Sequence, residues 1–348
     1  MTAAFVARRL SAALQGRNVL QLLSEVARRG AHAGCHAVQR HVLRRRYIEK
    51  RVNDYRLLLD SRDPGISRQL LNRGTRELEQ RHLVEHVLRP GMTAFDLGAN
   101  VGYYTVMMAR LVGESGRVYA VEPFPDSFRL LEGNIHRNRL RNVLVENVAI
   151  GASDGEEQLL LAEKSNWHSL HAPRLDPNVG WHAKYTRDFV GSIAIRTRSL
   201  ATYLSGKGPI QLLRMDLEGY ETEILKSVID LPRAQTSELR ILFETHPEFY
   251  DPARNDMRSV LERLCGRQGY GIEYLISDFQ HGSRWERRAE TGRAAFERYG
   301  YTDAHIVAQF RNRAIYGNLR TADAIDLICS SECVHAALLA PRRGRRSG

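Results

Sequence analysis

At 348 residues, 43% hydrophobic and 26% charged, the chain has the make-up of one large globular domain or two ordinary ones, which excludes wholesale disorder and collagen-like repeats. Its four cysteines cannot staple a chain of this length, and Cys329 and Cys333, the only close pair, have no second pair to complete a zinc site; a reducing, cytoplasmic setting is the expectation. The net charge of +11, taken alone, points to nucleic acid, an anionic membrane surface or an acidic substrate.

In chain order, the first segment, MTAAFVARRLSAAL, lacks the order of a secretory signal because Arg8 and Arg9 interrupt its apolar stretch. It reads as a basic amphipathic helix, with Glu25 the first acidic residue. An organellar targeting peptide, a peripheral helix on an anionic membrane and a plain solvated helix share that composition. No window approaches the roughly 18 apolar residues of a membrane span. Residues 1 to about 55 are Arg-rich and helical in period, with a run at Arg44, Arg45 and Arg46. From Glu77 to Leu88, the apolar Leu78, Leu83, Val84 and Val87 fall at helical spacing, and Pro90-Gly91 stops the run.

The pattern then changes to β-rich runs alternating with helical ones. Strands are expected at Thr93–Leu97, Arg117–Glu122, Val143–Val148, Ile210–Asp216, Leu239–Thr245, Gly271–Ser277 and His305–Phe310. Helices are expected at Gly102–Val112, Asp126–Asn138, Tyr220–Ile229 and Asn255–Arg267. Such alternation argues for an α/β fold, a mostly parallel sheet with helices on both faces. A long insert between the third and fourth strands carries two further β runs, Gln158–Ala162 and Ile193–Arg198, and the aromatic and histidine cluster Trp167, His168, His171, Trp181 and His182. The segment from Trp167 to Tyr185 is read as a lid over an acceptor or as a small satellite core. Arg284, Arg287, Arg288 and Arg293 alternate with acids and read as a solvated helix or a second lid. The tail PRRGRRSG reads as disordered.

The stretch Phe95-Asp96-Leu97-Gly98-Ala99-Asn100-Val101-Gly102 ends a strand on an acid and turns on glycines into a helix. Gly98 and Gly102 would let backbone approach a ligand, and free N–H groups at the helix start would meet its polar atoms. A dinucleotide loop wants G-x-G-x-x-G, whereas Asn100 takes the middle position and Asp96 adds negative charge beside the turn. A pyrophosphate fits that poorly, and a ligand carrying an ammonium and a sulfonium fits it better. Glu122 ends the second strand, where a carboxylate can accept both ribose hydroxyls of a nucleoside. The loop and the acid together favour S-adenosylmethionine over NAD. An NAD-dependent oxidoreductase on a related fold is the first alternative. A nucleic-acid methyltransferase is the second, although no N-P-P-Y-like or S-P-P-C-like motif is present and nucleic acid is not an expected partner. A non-catalytic, membrane-attached cofactor binder is the third.

These motifs, FDLGANVGYYT (95–105), VYAVEPFPDSFRLLEGNIHRN (118–138), NVAIGASDG (147–155), LLRMDLEGYETEILK (212–226) and LFETHP (242–247), together resemble the FkbM family of S-adenosylmethionine-dependent methyltransferases. Their order and spacing hold over roughly residues 56–310. The resemblance implies a class I methyltransferase (Rossmann-like) fold, a seven-stranded sheet with an antiparallel last strand. It also implies O-methylation of a hydroxyl on a sugar, glycan or other small-molecule acceptor. In such a fold Asp96, Gly98, Asn100 and Gly102 would hold the methionine end of the cofactor and Glu122 its ribose. Asn147 would lie near the adenine, bonding the base edge or capping a turn.

The reacting end falls on Asp216-Leu217-Glu218-Gly219-Tyr220-Glu221, since ligands of open α/β sheets lie outside the carboxyl ends of the strands. Methyl transfer to a protonated hydroxyl needs alignment and a base or a metal. Asp216, Glu218, Glu244 and His246 are the candidates: His246 as a base with an ordinary pKa near 6.5, or all four as an oxygen-rich divalent site. Metal-independent transfer is the preferred reading. The charge divides unevenly: residues 1–55 hold 11 Lys/Arg against 3 Asp/Glu, residues 311–348 hold 7 against 3, and residues 56–310 hold 33 against 34. The basic character therefore belongs to an N-terminal helical extension (1–55) and a C-terminal extension (311–348), not to the domain between them.

Overall fold

The computed structural model describes residues 45–173, 189–250, 253, 255–278, 313–317, 319–330 and 333–342. Tyr47–Val52 (β1) and Tyr55–Asp60 (β2) form an antiparallel hairpin turning on Asn53-Asp54, with Asn53 at φ 53°. Alternation at period two buries Ile48, Val52, Tyr55, Leu57 and Leu59. The helical reading of residues up to 55 therefore fails over 47–55, where an Asn-Asp turn between alternating runs is a hairpin signal. Residues 1–44, with the basic membrane-surface helix expected there, lie outside the described residues.

Helices Ile66–Arg73 (α1) and Leu78–Val87 (α2) follow, the second close to its expected place. The alternating core then runs Thr93–Leu97 (β3), Tyr103–Val112 (α3), Arg117–Val121 (β4), Pro125–Arg137 (α4) and Val143–Glu146 (β5). The insert contributes Ala149–Gly151 (β6), Gly155–Ala162 (β7) and Phe189–Ser199 (β8), a separate three-stranded sheet in the order β6-β8-β7. A short helix, Leu200–Leu204 (α5), leads to Leu212–Met215 (β9), Glu221–Ile229 (α6), Arg233–Thr236 (α7), Arg240–Glu244 (β10), Met257–Arg267 (α8) and Tyr270–Asp278 (β11). Arg313–Gly317 (β12), Thr321–Ser330 (α9) and Val334–Pro341 (β13) end the described chain.

The main sheet has eight strands in the order β12-β11-β13-β10-β9-β3-β4-β5. β10, β9, β3, β4 and β5 are parallel, and β13 runs antiparallel between β10 and β11. The antiparallel last strand is thus present, but it is Val334–Pro341; His305–Phe310, where it was expected, lies outside the described residues. The sheet has eight strands rather than seven because β12 pairs with the outer edge of β11. The segment read as a C-terminal extension supplies two strands and a helix to the fold. Its strand VHAALLAP is rich in Ala and Leu, which favour helices, and it sits in the sheet because both its faces are buried. Leu338 joins the cluster formed with β2, α2 and α3, while Leu339 joins the one formed with α6, α8 and α9 on the opposite face.

Strand order reverses between β3 and β9, so the loops after β3, β4 and β9 diverge there and open a crevice. Leu339 is fully buried. Leu339→Ala should lower the unfolding free energy in denaturant titration by about 2–5 kcal/mol, the range for a core leucine. A loss below about 0.5 kcal/mol would mean that this strand is an appendage.

Candidate active site

The floor of the crevice is the loop from β3 to α3. Gly98 has φ +75°, and a Cβ there would stand 2.3 Å from the carbonyl oxygen of Asp216. The missing side chain therefore admits the neighbouring loop. Gly102, at φ +88°, makes room for Leu131 of α4, whose Cδ1 would be 2.8 Å from an added Cβ, and it does not line the crevice. Asn100 takes the left-handed conformation, φ +48°, which Asn tolerates. Its N–H donates to Glu122 Oε2 (2.8 Å), its Oδ1 accepts from Val101 N–H (2.9 Å) and its Nδ2 donates to the Ser165 carbonyl (3.1 Å).

Glu122 is buried at the crevice wall just beyond β4, with Oε1 accepting from Phe124 N–H at 2.9 Å. Burial, opposed by the two backbone N–H groups, raises its carboxyl to about 7. Each oxygen keeps a second lone pair for a ligand hydroxyl. Asn147 takes the turn-capping role of its two expected ones: its Nδ2 donates to the carbonyls of Glu122 (2.8 Å) and Pro123 (2.9 Å), tying down the turn behind the carboxylate. Asp96 departs from its expected place. It is fully buried, accepts from Thr105 Oγ1 (2.5 Å) and pairs with Arg214 Nη1 (3.4 Å), so it supports the floor without lining the crevice.

Arg214 is the residue that sequence reasoning missed. It sits in β9 with its side chain 4% exposed, between Asp216 Oδ2 (3.2 Å) and Glu244 Oε1 (3.9 Å), its guanidinium carbon 4.2 Å from the Tyr104 ring centre. An Arg inside the apolar run LLRM was the available signal, because a cation buried in a strand must have partners. Arg76, paired with Glu77, brings a second buried cation to the crevice, and Gln80 Nε2 donates to Glu244 Oε1 at 2.6 Å.

His246 lies just beyond β10 between two carboxylates, with Nδ1 3.1 Å from Glu221 Oε1 and Nε2 3.2 Å from Glu218 Oε2. Burial alone would lower its pKa, but Glu221 and Glu218 outweigh it and hold the ring well above its ordinary range. The two carboxylates thus favour the charged ring over the neutral one that the expected base role requires. Glu221, to which no role was given, organises the turn: Oε1 accepts from Leu217 N–H (2.8 Å) and Oε2 from Gly219 N–H (3.0 Å). It is the first residue of α6, where a carboxylate is favoured. Glu218 lines the crevice in the left-handed region, φ +50°, with its carbonyl accepting from Ser169 Oγ (2.7 Å).

The crevice has about 830 Å³ of space including its open mouth. Gly98, Asn100, Glu122, Asp216 and Glu218 line it, whereas Glu244 and His246 stand behind it. One ligand atom each from Asp216, Glu244 and His246 lie within 4.8 Å of one another, but these residues do not fit a divalent ion as they stand. Arg214 already lies against both carboxylates and His246 is cationic, so an ion would have to displace two positive charges. Burial, Asp216 and Glu77 push the Glu244 carboxyl well above its usual range, against Arg76 and Arg214. In the lid, Trp167 packs under Lys164 Nζ (3.2 Å from the ring centre) and His171 stacks on Tyr220 (4.9 Å). Trp181, His182, Tyr185 and the Arg284–Arg293 cluster lie outside the described residues.

The family model described as Methyltransferase FkbM domain matches residues 96–271, half of the chain. The 31-O-demethyl-FK506 methyltransferase FkbM of Streptomyces tacrolimicus is 29% identical over 169 residues, 43% of this chain and 64% of that protein. A protein-L-isoaspartate O-methyltransferase of Methanothrix thermoacetophila is 45% identical over 56 residues, so this chain spans 27% of that relative and the match takes in 16% of this chain. Among solved structures, Pyrococcus horikoshii TYW2 in complex with MeSAdo aligns at 13% identity and a TM-score of 0.40, over 85% of this chain and 72% of that one.

Glu221→Ala would orphan two backbone N–H groups and one side of His246. Denaturant unfolding should show a loss of about 2–5 kcal/mol, the sum expected for buried groups left unsatisfied. Histidine NMR titration of the folded variant should show the His246 pKa moving down. An unmoved pKa would mean that Glu221 does not hold the ring charged.

Proposed function

The chain belongs to the FkbM methyltransferase family, and we propose that it transfers the methyl group of S-adenosylmethionine to a hydroxyl of a sugar, glycan or other small-molecule acceptor. The observation that carries the cofactor reading is Glu122, a carboxylate fixed at the switch-point crevice by two N–H groups with lone pairs to spare for ribose hydroxyls. The crevice also bears the carboxylate of Glu218 for a ligand carrying positive charge. Reaction at oxygen is supported by the printed names of the curated relatives, each an O-methylating enzyme or a methyltransferase acting on an O-demethyl compound.

Bound S-adenosylmethionine supplies an electrophilic methyl on a sulfonium. The chain's part is to hold, align and deprotonate. Glu122 and the Asn100 loop hold the nucleoside side. Arg214 grips Asp216 through Oδ2 and leaves Oδ1 buried with no hydrogen-bond partner among the described residues. Asp216 Oδ1 is thus an oriented acceptor for the proton of the attacking hydroxyl. His246 stands behind Glu218, its Nε2 3.2 Å from Oε2, and holds that carboxyl in position. Transfer proceeds without a metal.

Titration calorimetry should show binding of S-adenosylmethionine and none of NAD; the reverse result would overturn the reading. Asp216→Asn should cut methyl transfer by about 10²–10⁴-fold, the usual worth of a positioned base, with cofactor affinity within a few-fold. Surviving turnover would remove Asp216 from the mechanism. Chelator-treated protein should keep its initial rate, and a loss restored by Mg²⁺ would overturn metal independence. Ribose hydroxyls bind the ionised Glu122, whose carboxyl is protonated below about pH 7 in the folded protein. Cofactor affinity should therefore fall as pH drops below 7, tending toward tenfold per unit, and Glu122→Gln should bind weakly with that step removed. An unchanged pH profile in the variant would sink the ribose assignment.

A further inference from the structure

The lid residues 163–171 are tied down on several sides. Ser165 N–H donates to Asp63 Oδ1 (3.2 Å), and the Ser165 carbonyl accepts from Asn100 Nδ2 (3.1 Å). Ser169 exchanges backbone hydrogen bonds with Leu160 (2.8 and 3.1 Å), and its hydroxyl donates to the Glu218 carbonyl (2.7 Å). The strap between these anchors presents His168 to the crevice wall. His168 Nδ1 accepts from Ala162 N–H at 3.0 Å, so that nitrogen carries no proton. Burial lowers the ring's pKa to about 4, against a small opposing pull from Asp63, so the ring is neutral at pH 7. Its one proton must sit on Nε2. Nε2 is buried and has no hydrogen-bond partner among the described residues. Ser165 Oγ and Asn166 Oδ1, on the same strap and from residues lining the same crevice, are likewise buried and unpartnered.

A donor of fixed tautomer on a ligand-facing wall, with no acceptor supplied by the protein, points to an acceptor on the ligand. Its position says which part. The His168 ring stands edge-on to Phe124, centroids 4.4 Å apart, and Phe124 N–H is the group that fixes Glu122 Oε1. Phe124 in turn packs with Ala149 and Leu159, which line the crevice. Next to the carboxylate read as the ribose site, then, is an apolar slot carrying one N–H donor. A purine offers that slot flat apolar faces and ring nitrogens that accept hydrogen bonds.

We propose that His168 is the base-recognition residue of this enzyme, donating from Nε2 to a ring nitrogen of the adenine of S-adenosylmethionine. The inference rests on the S-adenosylmethionine reading above and assigns the strap of residues 163–171 to cofactor selection.

The test is calorimetry with S-adenosylhomocysteine and its 1-deaza, 3-deaza and 7-deaza analogues on the full chain and on His168→Phe and His168→Gln. His168→Phe keeps a flat ring and removes the donor, and should bind S-adenosylhomocysteine about 10- to 100-fold more weakly, the range for one unsatisfied buried polar group. One deaza analogue should lose the same factor on the unmodified protein and lose nothing further on His168→Phe; His168→Gln, which keeps an N–H, should recover part of the affinity. His168→Phe binding within twofold of the unmodified protein, or losses that simply add, would overturn the assignment. If His168→Phe fails to fold, the unmodified protein decides alone: three deaza analogues all binding like the parent would overturn it. Failure of the unmodified protein to bind the parent nucleoside at all would instead overturn the cofactor reading, and this assignment with it.

Discussion

A guanidinium cannot shed its proton, so burying one in the middle of a sheet obliges the surrounding strands to supply negative charge. Arg214 imposes that condition here. It faces Asp96 as its register partner in β3, reaches Asp216 two residues along its own strand and lies beside Glu244 at the end of β10. Side chains two apart on a strand share a face, so the cation and the carboxylate that projects into the crevice point the same way by construction. Asp96 is spent inside the floor, where it neutralises Arg214 and takes the Thr105 hydroxyl. Its loss would leave the buried Arg214 with only Asp216 and Glu244 beside it, a destabilising change. An acid that looked like a cofactor ligand is thus the counter-ion that allows Arg214, and through it Asp216, to be placed.

The second half of the site follows the same logic with the signs exchanged. Glu221 gives both oxygens to backbone N–H groups of the turn preceding its own helix, and one of them is also met by His246. The turn holds Glu218 and Gly219 at positive φ, and Phe249 fills the space where a Gly219 side chain would stand, 2.3 Å from an added Cβ. Backbone in that region is disfavoured for a residue such as Glu218, and here the Ser169 hydroxyl on its carbonyl and His246 on its carboxylate hold it in place. Residues 163–171, the β9 turn and the end of β10 are thus linked through Glu218.

Sequence pattern was sufficient where one rule governs a residue. Period-two and period-3.6 runs located the core strands and helices, and the strand-end acids Glu122 and Asp216 do face the crevice, because the ends of parallel strands meet there regardless of detail. It was insufficient where two rules compete. Gly98 and Gly102 read as ligand-approach glycines, but what their missing side chains admit is an Asp216 carbonyl and a leucine, which no local pattern encodes. His246 read as a titrating base because its ordinary pKa is near neutrality, whereas its state is set by carboxylates 25 and 28 positions earlier. The Ala- and Leu-rich last strand read as an appendage because local propensity favours helix, and burial on both faces overrides it.

That last strand bears on the chemistry as well as the fold. Thr245, between Glu244 and His246, donates its N–H to the His335 carbonyl at 3.0 Å and its hydroxyl to the Val334 carbonyl at 2.7 Å. Glu244 itself is in register with Ala336. The residues that carry Glu244 and His246 beyond the parallel part of the sheet are thus clamped from one side by β13, and from the other Gln80 of α2 holds the Glu244 carboxylate. A parallel strand ending free at a crevice would leave these side chains on mobile loop. An antiparallel strand threaded back from nearly a hundred residues later in the chain anchors Thr245, and with it the neighbouring His246, against the sheet.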